Sequence, residues 1–206
     1  MTRVKQETPD PSLDRREPSS EEYLRTHTVG ELRPLSGPIR IVDYDPDWPH
    51  RFEREATRIR SALAGLALRI EHTGSTSVPG LPAKPIIDIV LVVADSAQET
   101  AYAPALEKAG YRLRIREPGW HEHRMFEGPQ TDVNLHVFSA GCPEIDRMLT
   151  FRDWLRSSAR DRELYARSKR ALARKNWKHT QNYADAKTAV IEEIIARARN
   201  SARSSD

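Results

Sequence analysis

The 206-residue sequence has one cysteine, Cys142. A single thiol excludes a disulfide within the chain and a zinc site built on thiolates, and it fits a reducing compartment, so a cytoplasmic location is expected. Long apolar runs are missing too. The most apolar stretch, residues 86–94, is interrupted by Asp88, and nothing approaches the roughly 20 residues a membrane-spanning helix needs. The opening MTRVKQETPD lacks the apolar core of a secretory signal, so no membrane partner is expected. No internal repeat is present, and the length excludes a large multi-domain assembly. What remains is 38% hydrophobic and 31% charged with a mean hydropathy of −0.69, the composition of a globular core in a polar surface with some unfolded tail.

The net charge of +3 conceals an asymmetry. Residues 146–206 hold 15 Lys and Arg against eight Asp and Glu, an excess of +7 that leaves −4 for the rest of the chain. A basic C-terminal third attracts phosphate, or it is a solvated helical face rich in arginine.

Hydrophobic spacing divides the chain. Residues 1–37, rich in Pro, Ser, Glu and Arg, read as a flexible arm with at most a short helix at residues 20–26. A sheet domain is expected over residues 38–143. It begins with a short strand at 38–42, then an amphipathic helix carrying Phe52, Ala56, Ile59, Ala62 and Leu63 at helical spacing. Strands follow at 66–72, 85–93, 111–116, 123–126 and 132–138, with a helix at 98–109. Residues 144–199 read as a helical cap broken near 176–182, and 200–206 as a disordered tail. Mixed strands and helices followed by helices alone argue for an α/β or α+β domain with a helical C-terminal cap.

The segment 72–88 is richest in chemistry. A strand running into Gly74-Ser75 can bring backbone N–H groups against an anion, with the Ser75, Thr76 and Ser77 hydroxyls beside them. Its glycine spacing is not that of a Walker A loop, so phosphate cradle and surface turn both remain open. Asp88 sits among Ile86, Ile87, Ile89 and Val90, where an unpaired carboxylate costs several kcal/mol. It is either a structural ion-pair partner, with Lys84 or an arginine of the cap, or a functional carboxylate. Strand parity places Asn134, His136 and Phe138 on one face and Val133, Leu135 and Val137 on the other. His136 is then a core histidine, or it pairs with Asp88 to hold a cation or move a proton, with His72 able to join. The run 121–123 (His-Glu-His) matches no known metal spacing.

HTGSTSVPGLPAKPIIDI at 72–89, VNLHV at 133–137, FRDWL at 151–155 and YARSK at 165–169 resemble the GrpB family, also seen as a C-terminal extension of some bacterial dephospho-CoA kinases. The resemblance covers residues 39–198. It implies the nucleotidyltransferase superfamily and its polymerase-β-like mixed sheet, with Gly74 and Ser75 on nucleotide phosphates and Asp88 as the first carboxylate of an Asp-x-Asp pair. Val90 stands at the second carboxylate position and His136 where a third acidic residue belongs. Either one metal suffices, or the pocket binds without transferring.

The expectation is a nucleotide-dependent transferase acting on a small-molecule acceptor. Asp88 and His136, with His72, would hold Mg2+ or Mn2+; Gly74, Ser75 and Thr76 would hold the phosphate tail of a nucleoside triphosphate; and Lys84, Arg124, Arg152, Lys169 and Lys187 would offset its charge. The alternatives are a non-catalytic module for a nucleotide or acidic metabolite, and an RNA-binding cap. The latter is disfavoured because the arginines alternate with acids and no stacking platform accompanies them.

Overall fold

This computed structural model describes residues 19–130 and 132–203 of the chain. Five strands, β1 (Arg69–Thr73), β2 (Ile87–Val93), β3 (Arg112–Glu117), β4 (His123–Glu127) and β5 (Val133–Ser139), form one sheet in the order β1-β2-β5-β4-β3. The central pair β2 and β5 is parallel and the other pairings are antiparallel. Among the described residues seven α-helices accompany them: α1 (Glu21–His27), α2 (Trp48–Leu63), α3 (Glu99–Lys108), α4 (Pro143–Ser157), α5 (Ala159–Ala173), α6 (Thr180–Asp185) and α7 (Thr188–Arg203). The α/β class and the mixed sheet expected from the sequence are both present.

The strands sort their side chains by parity. Ile87, Ile89 and Leu91 of β2 share a face with Val133, Leu135 and Val137 of β5, and α2 and α3 close over that face with Trp48, Ile59, Leu63, Tyr102 and Leu106. This is the main core. On the other face Val90, Val92 and Phe138 are covered by Ile145 and Leu149 of α4. Leu155, Tyr165 and Ala166 of α4 and α5 and Ile194 of α7 close around Val78 and Leu81, so the cap is tied to the loop that follows β1.

Four expectations need correction. Residues 38–42 form no strand; they contribute one bridge, Val42 to Ala83. The arm is ordered from Ser19 onward: Ser20 caps α1, Leu24 is buried, and Thr28 bridges to Ile115 at the β3 edge. The short helix expected at residues 20–26 is present as α1, about two turns that dock by a single buried leucine and by polar bonds; residues 1–18 lie outside the described part. The cap breaks at Ser158, whose hydroxyl caps α5, and again between Ala173 and Thr180, earlier than expected. Residues 200–203 continue α7 rather than forming a tail, and 204–206 are not described.

Candidate functional site

The site grows from the end of β1. Gly74 has φ +66 and ψ −171, a conformation closed to L side chains, and a Cβ there would come within 2.2 Å of Asp88 Oδ2. Glycine therefore allows the Asp88 carboxylate to lie directly against the turn. Ser77 Oγ closes the turn by donating to the Gly74 carbonyl at 2.6 Å. In the parallel register Asp88 stands beside Asn134 and Val90 beside His136, which puts Asp88, Asn134 and His136 on one face. Asn134 Nδ2 donates to Asp88 Oδ1 at 3.0 Å, and His136 Nε2 lies 4.0 Å from the same oxygen.

Three lysines face this pair across a cleft of about 240 Å3 that Gly74, Ser75 and Thr76 also line. Lys84 comes from the loop before β2, Lys169 from α5 and Lys187 from the link between α6 and α7. Lys169 Nζ donates to the Pro82 carbonyl and lies 4.8 Å from the Tyr165 ring centre. Lys187 and Lys84 approach the Tyr183 ring at 4.9 and 5.5 Å. Burial, with repulsion from Lys187, pushes the Lys169 ammonium down to about 6 and that of Lys84 to about 8. Burial also lowers Lys187. The buried Tyr183 hydroxyl has no hydrogen-bond partner among the described residues. An anion entering here meets desolvated donors and would favour their charged forms.

Three residues expected at the site are elsewhere. His72 pairs with Ile89, so it faces α2, where it stacks on Phe52 at 4.8 Å; burial holds it down to about 4, and its Nε2 meets Thr76 Oγ1 at 3.0 Å. It is no ligand beside Asp88. Arg124 pairs with Val137, also on the α2 and α3 face, and bonds Glu99 at 2.5 Å and Glu122 at 3.3 Å. Arg152 binds Glu71 at 2.7 Å and the His72 carbonyl at 3.1 Å, bracing α4 against β1 outside the cleft. Charge had nominated Arg124 and the family-like FRDWL motif Arg152; strand register turns the first toward Glu99, and the packing of α4 on β1 gives the second to Glu71. Val90, at the second carboxylate position, is fully buried beneath α4.

Sequence reasoning missed Asn134, Tyr183, Glu117 and His123. Asn134 had a signal, since parity groups it with His136. His123 and Glu117 belong to a chain of contacts crossing the sheet. His136 Nδ1 lies 3.0 Å from His123 Nε2, His123 Nδ1 lies 2.7 Å from Glu117 Oε2, and Tyr23 of α1 donates its hydroxyl to Glu117 Oε1 at 2.7 Å. Only the register of β3, β4 and β5 reveals it. Among the described residues no group of three or more His, Cys, Asp or Glu is arranged to hold a metal, so any cation would rest on Asp88 and His136 with ligand or solvent oxygens completing its shell.

Comparison with known proteins identifies relatives and the fold. A UPF0157 protein of Halalkalibacterium halodurans is 62% identical over 181 residues, covering 88% of this chain and 93% of that protein. A dephospho-CoA kinase of Mycolicibacterium paratuberculosis is 30% identical over 171 residues, covering 70% of this chain but 42% of the kinase. The crystal structure of GrpB from Enterococcus faecalis superposes with a TM-score of 0.69 at 32% identity, over 77% of this chain and 96% of that one. Cid1, an RNA terminal uridylyl transferase, shares the fold at a TM-score of 0.50 and 12% identity, over 65% of this chain and 42% of its own. The chain thus has a nucleotidyltransferase-like fold. With residues 38–197 matching the model of the GrpB protein, the chain belongs to the GrpB family.

Proposed function

We propose that the cleft binds the phosphate tail of a nucleoside triphosphate, with one divalent cation at Asp88 and His136, and that the protein transfers a nucleotidyl group to a small-molecule acceptor. The observation that carries this reading is the convergence of Lys84, Lys169 and Lys187 on the Asp88–His136 pair at the Gly74 turn. Lys169 is buried and Lys84 and Lys187 are half-buried, no salt bridge among the described residues compensates their desolvation, and a polyphosphate supplies the anion that would. The donors suit a cation: Asp88 Oδ1 and His136 Nε2 are 4.0 Å apart, a gap that an ion at roughly 2.1 Å from each can bridge. An imidazole in the set favours Mn2+ over Mg2+, which prefers all-oxygen ligands. When bound, the cation would neutralise phosphate charge.

The chain's own residues do the rest. Asn134 fixes the Asp88 carboxylate, and the Gly74 turn presents Ser75 to the tail. The lysines hold the phosphates and stabilise negative charge on the departing group, and Tyr183 supplies a further donor. The cleft is smaller than the roughly 300–1,000 Å3 of pockets that enclose a whole drug-sized ligand, so sugar and base would project outward.

A second reading, binding without transfer, is favoured by one observation, the apolar Val90 sealed under α4 where a second acidic ligand would stand. Incubating the protein with each nucleoside triphosphate, Mn2+ and a panel of hydroxyl and amine acceptors, then weighing the products, decides between them. A nucleotidyl adduct supports transfer. Saturable binding with no adduct selects the binding module, and absence of both removes the nucleotide reading.

A further inference from the structure

The contacts behind His136 form a continuous path over four strands, from Glu117 on β3 through His123 on β4 and His136 on β5 to Asp88 on β2. Glu117 and His123 are 1% and 3% exposed, too deep to serve as ordinary surface charge. Two rings hold His123 in plane, Phe138 stacked at 4.8 Å and Trp120 edge-on at 5.3 Å. Tyr23 closes the far end by donating to Glu117 Oε1. A histidine tethered in this manner has a determined proton pattern, because each ring nitrogen must complement the neighbour it touches.

We infer that Glu117 and His123 are positioning residues that set the tautomer of His136, keeping its proton on Nδ1 and directing the Nε2 lone pair toward Asp88. The inference rests on the cation reading given above. The carboxylate of Glu117 accepts at both oxygens, from the Tyr23 hydroxyl and from His123 Nδ1–H. Neutral His123 then has an accepting Nε2, which receives the proton of His136 Nδ1. Nε2 of His136 is left as the basic nitrogen beside Asp88 Oδ1. The logic also runs backward: an ion ligated by His136 Nε2 forces Nδ1–H on His136, an accepting Nε2 on His123 and a proton on His123 Nδ1 facing Glu117. With an ion on Nε2, this arrangement satisfies the contacts from His136 through His123 to Glu117, and the carboxylate at its end orients the ligating ring.

Two outcomes can be read separately. Nitrogen-15 shifts of the histidine rings in the cation-free protein report the tautomers, and Mn2+ titration followed by electron paramagnetic resonance reports affinity. Wild-type protein is expected to show His136 protonated at Nδ1. The variant Glu117→Gln, close in shape, should shift His136 toward the Nε2–H form and weaken Mn2+ binding 10- to 100-fold with little change in melting temperature. His123→Phe, which keeps the stacking but removes the acceptor, should do the same. An Nε2–H His136 in the wild type, or Mn2+ affinity unchanged in both folded variants, would overturn the positioning role. If Glu117→Gln does not fold, the wild-type tautomer alone decides. If the wild type binds no Mn2+, the cation site is lost as a reading, and the ring shifts still judge the relay.

Discussion

The two faces of the sheet come from the same residues taken alternately, and they behave as different materials. On one, Ile87, Ile89 and Leu91 meet Leu135, Val137 and Phe126 in a dry core under α2 and α3. On the other, Asp88, Asn134, His136, His123 and Glu117 make a polar band that is only partly roofed by α4. The first face determines that the strands pair in this register. The second exploits that register, since a one-residue slip would exchange the two sets. Stability and chemistry are thereby separated by strand parity, and substitutions one residue apart should fail in different ways.

The largest effect is expected on the dry face. Ile89→Ala leaves a cavity among fully buried neighbours and should cost about 2–5 kcal/mol in denaturant unfolding. Asp88→Asn, one residue away, keeps the shape and the contact with Asn134, and should change stability by less than about 1 kcal/mol while removing cation-dependent binding. Equal losses of stability in both would erase the distinction between the faces.

Next comes the N-terminal segment, which reaches the polar band through Tyr23. Removing residues 1–37 deletes the burial of Leu24, the Tyr23–Glu117 bond and the Ser19–Asp185 bond. A loss of about 2 kcal/mol or more is expected in thermal or chemical unfolding. An unchanged melting temperature would mean these contacts contribute nothing net.

Gly74→Ala sharpens the comparison at the rim of the polar face. The substituted residue must hold a glycine-only conformation and push its Cβ into the Asp88 carboxylate. A cost of about 1–3 kcal/mol is expected, along with weakened Mn2+ binding as Asp88 is displaced. Retained affinity would show that Asp88 does not need the close approach.

The smallest effect is a pH slope. Lys169 releases its proton near 6 in the folded chain but near 10.5 when unfolded. The unfolded state therefore binds more protons across that window, and stability rises with pH through it. Lys169→Met should flatten the rise between pH 6 and 8 by about 1 kcal/mol per unit, and parallel wild-type and variant curves would contradict the buried amine.

Much of this was legible in the sequence because alternation is a strong signal. Parity alone grouped Asn134 with His136, and the β-branched run around Asp88 marked a central strand. Arg124 and Arg152 were misassigned because charge carries no direction, whereas register does: Val137 opposite Arg124 turns it toward Glu99. The relay was illegible for a related reason: β3, β4 and β5 follow one another in the sheet as they do in the chain, but the register that sets Glu117 opposite His123 and Met125 opposite His136 depends on turn lengths and on the irregularity between Leu113 and Ile115. The short helix after Ser19 was read but its docking was not, because one leucine and a few polar bonds are too few to leave a hydrophobic period. Tyr183 lies in a helix of six residues, too short to show periodicity at all.

The central claim, that the lysine-lined cleft on the polar face holds a polyphosphate, is tested most directly by calorimetric titration of nucleoside triphosphate and of the corresponding nucleoside in the presence of Mn2+, with wild-type protein and Lys169→Ala. The account predicts saturable triphosphate binding, no comparable binding of the nucleoside, and a loss of about 1–3 kcal/mol in triphosphate affinity in the variant. Triphosphate and nucleoside binding alike, or a variant indistinguishable from wild type, would contradict it.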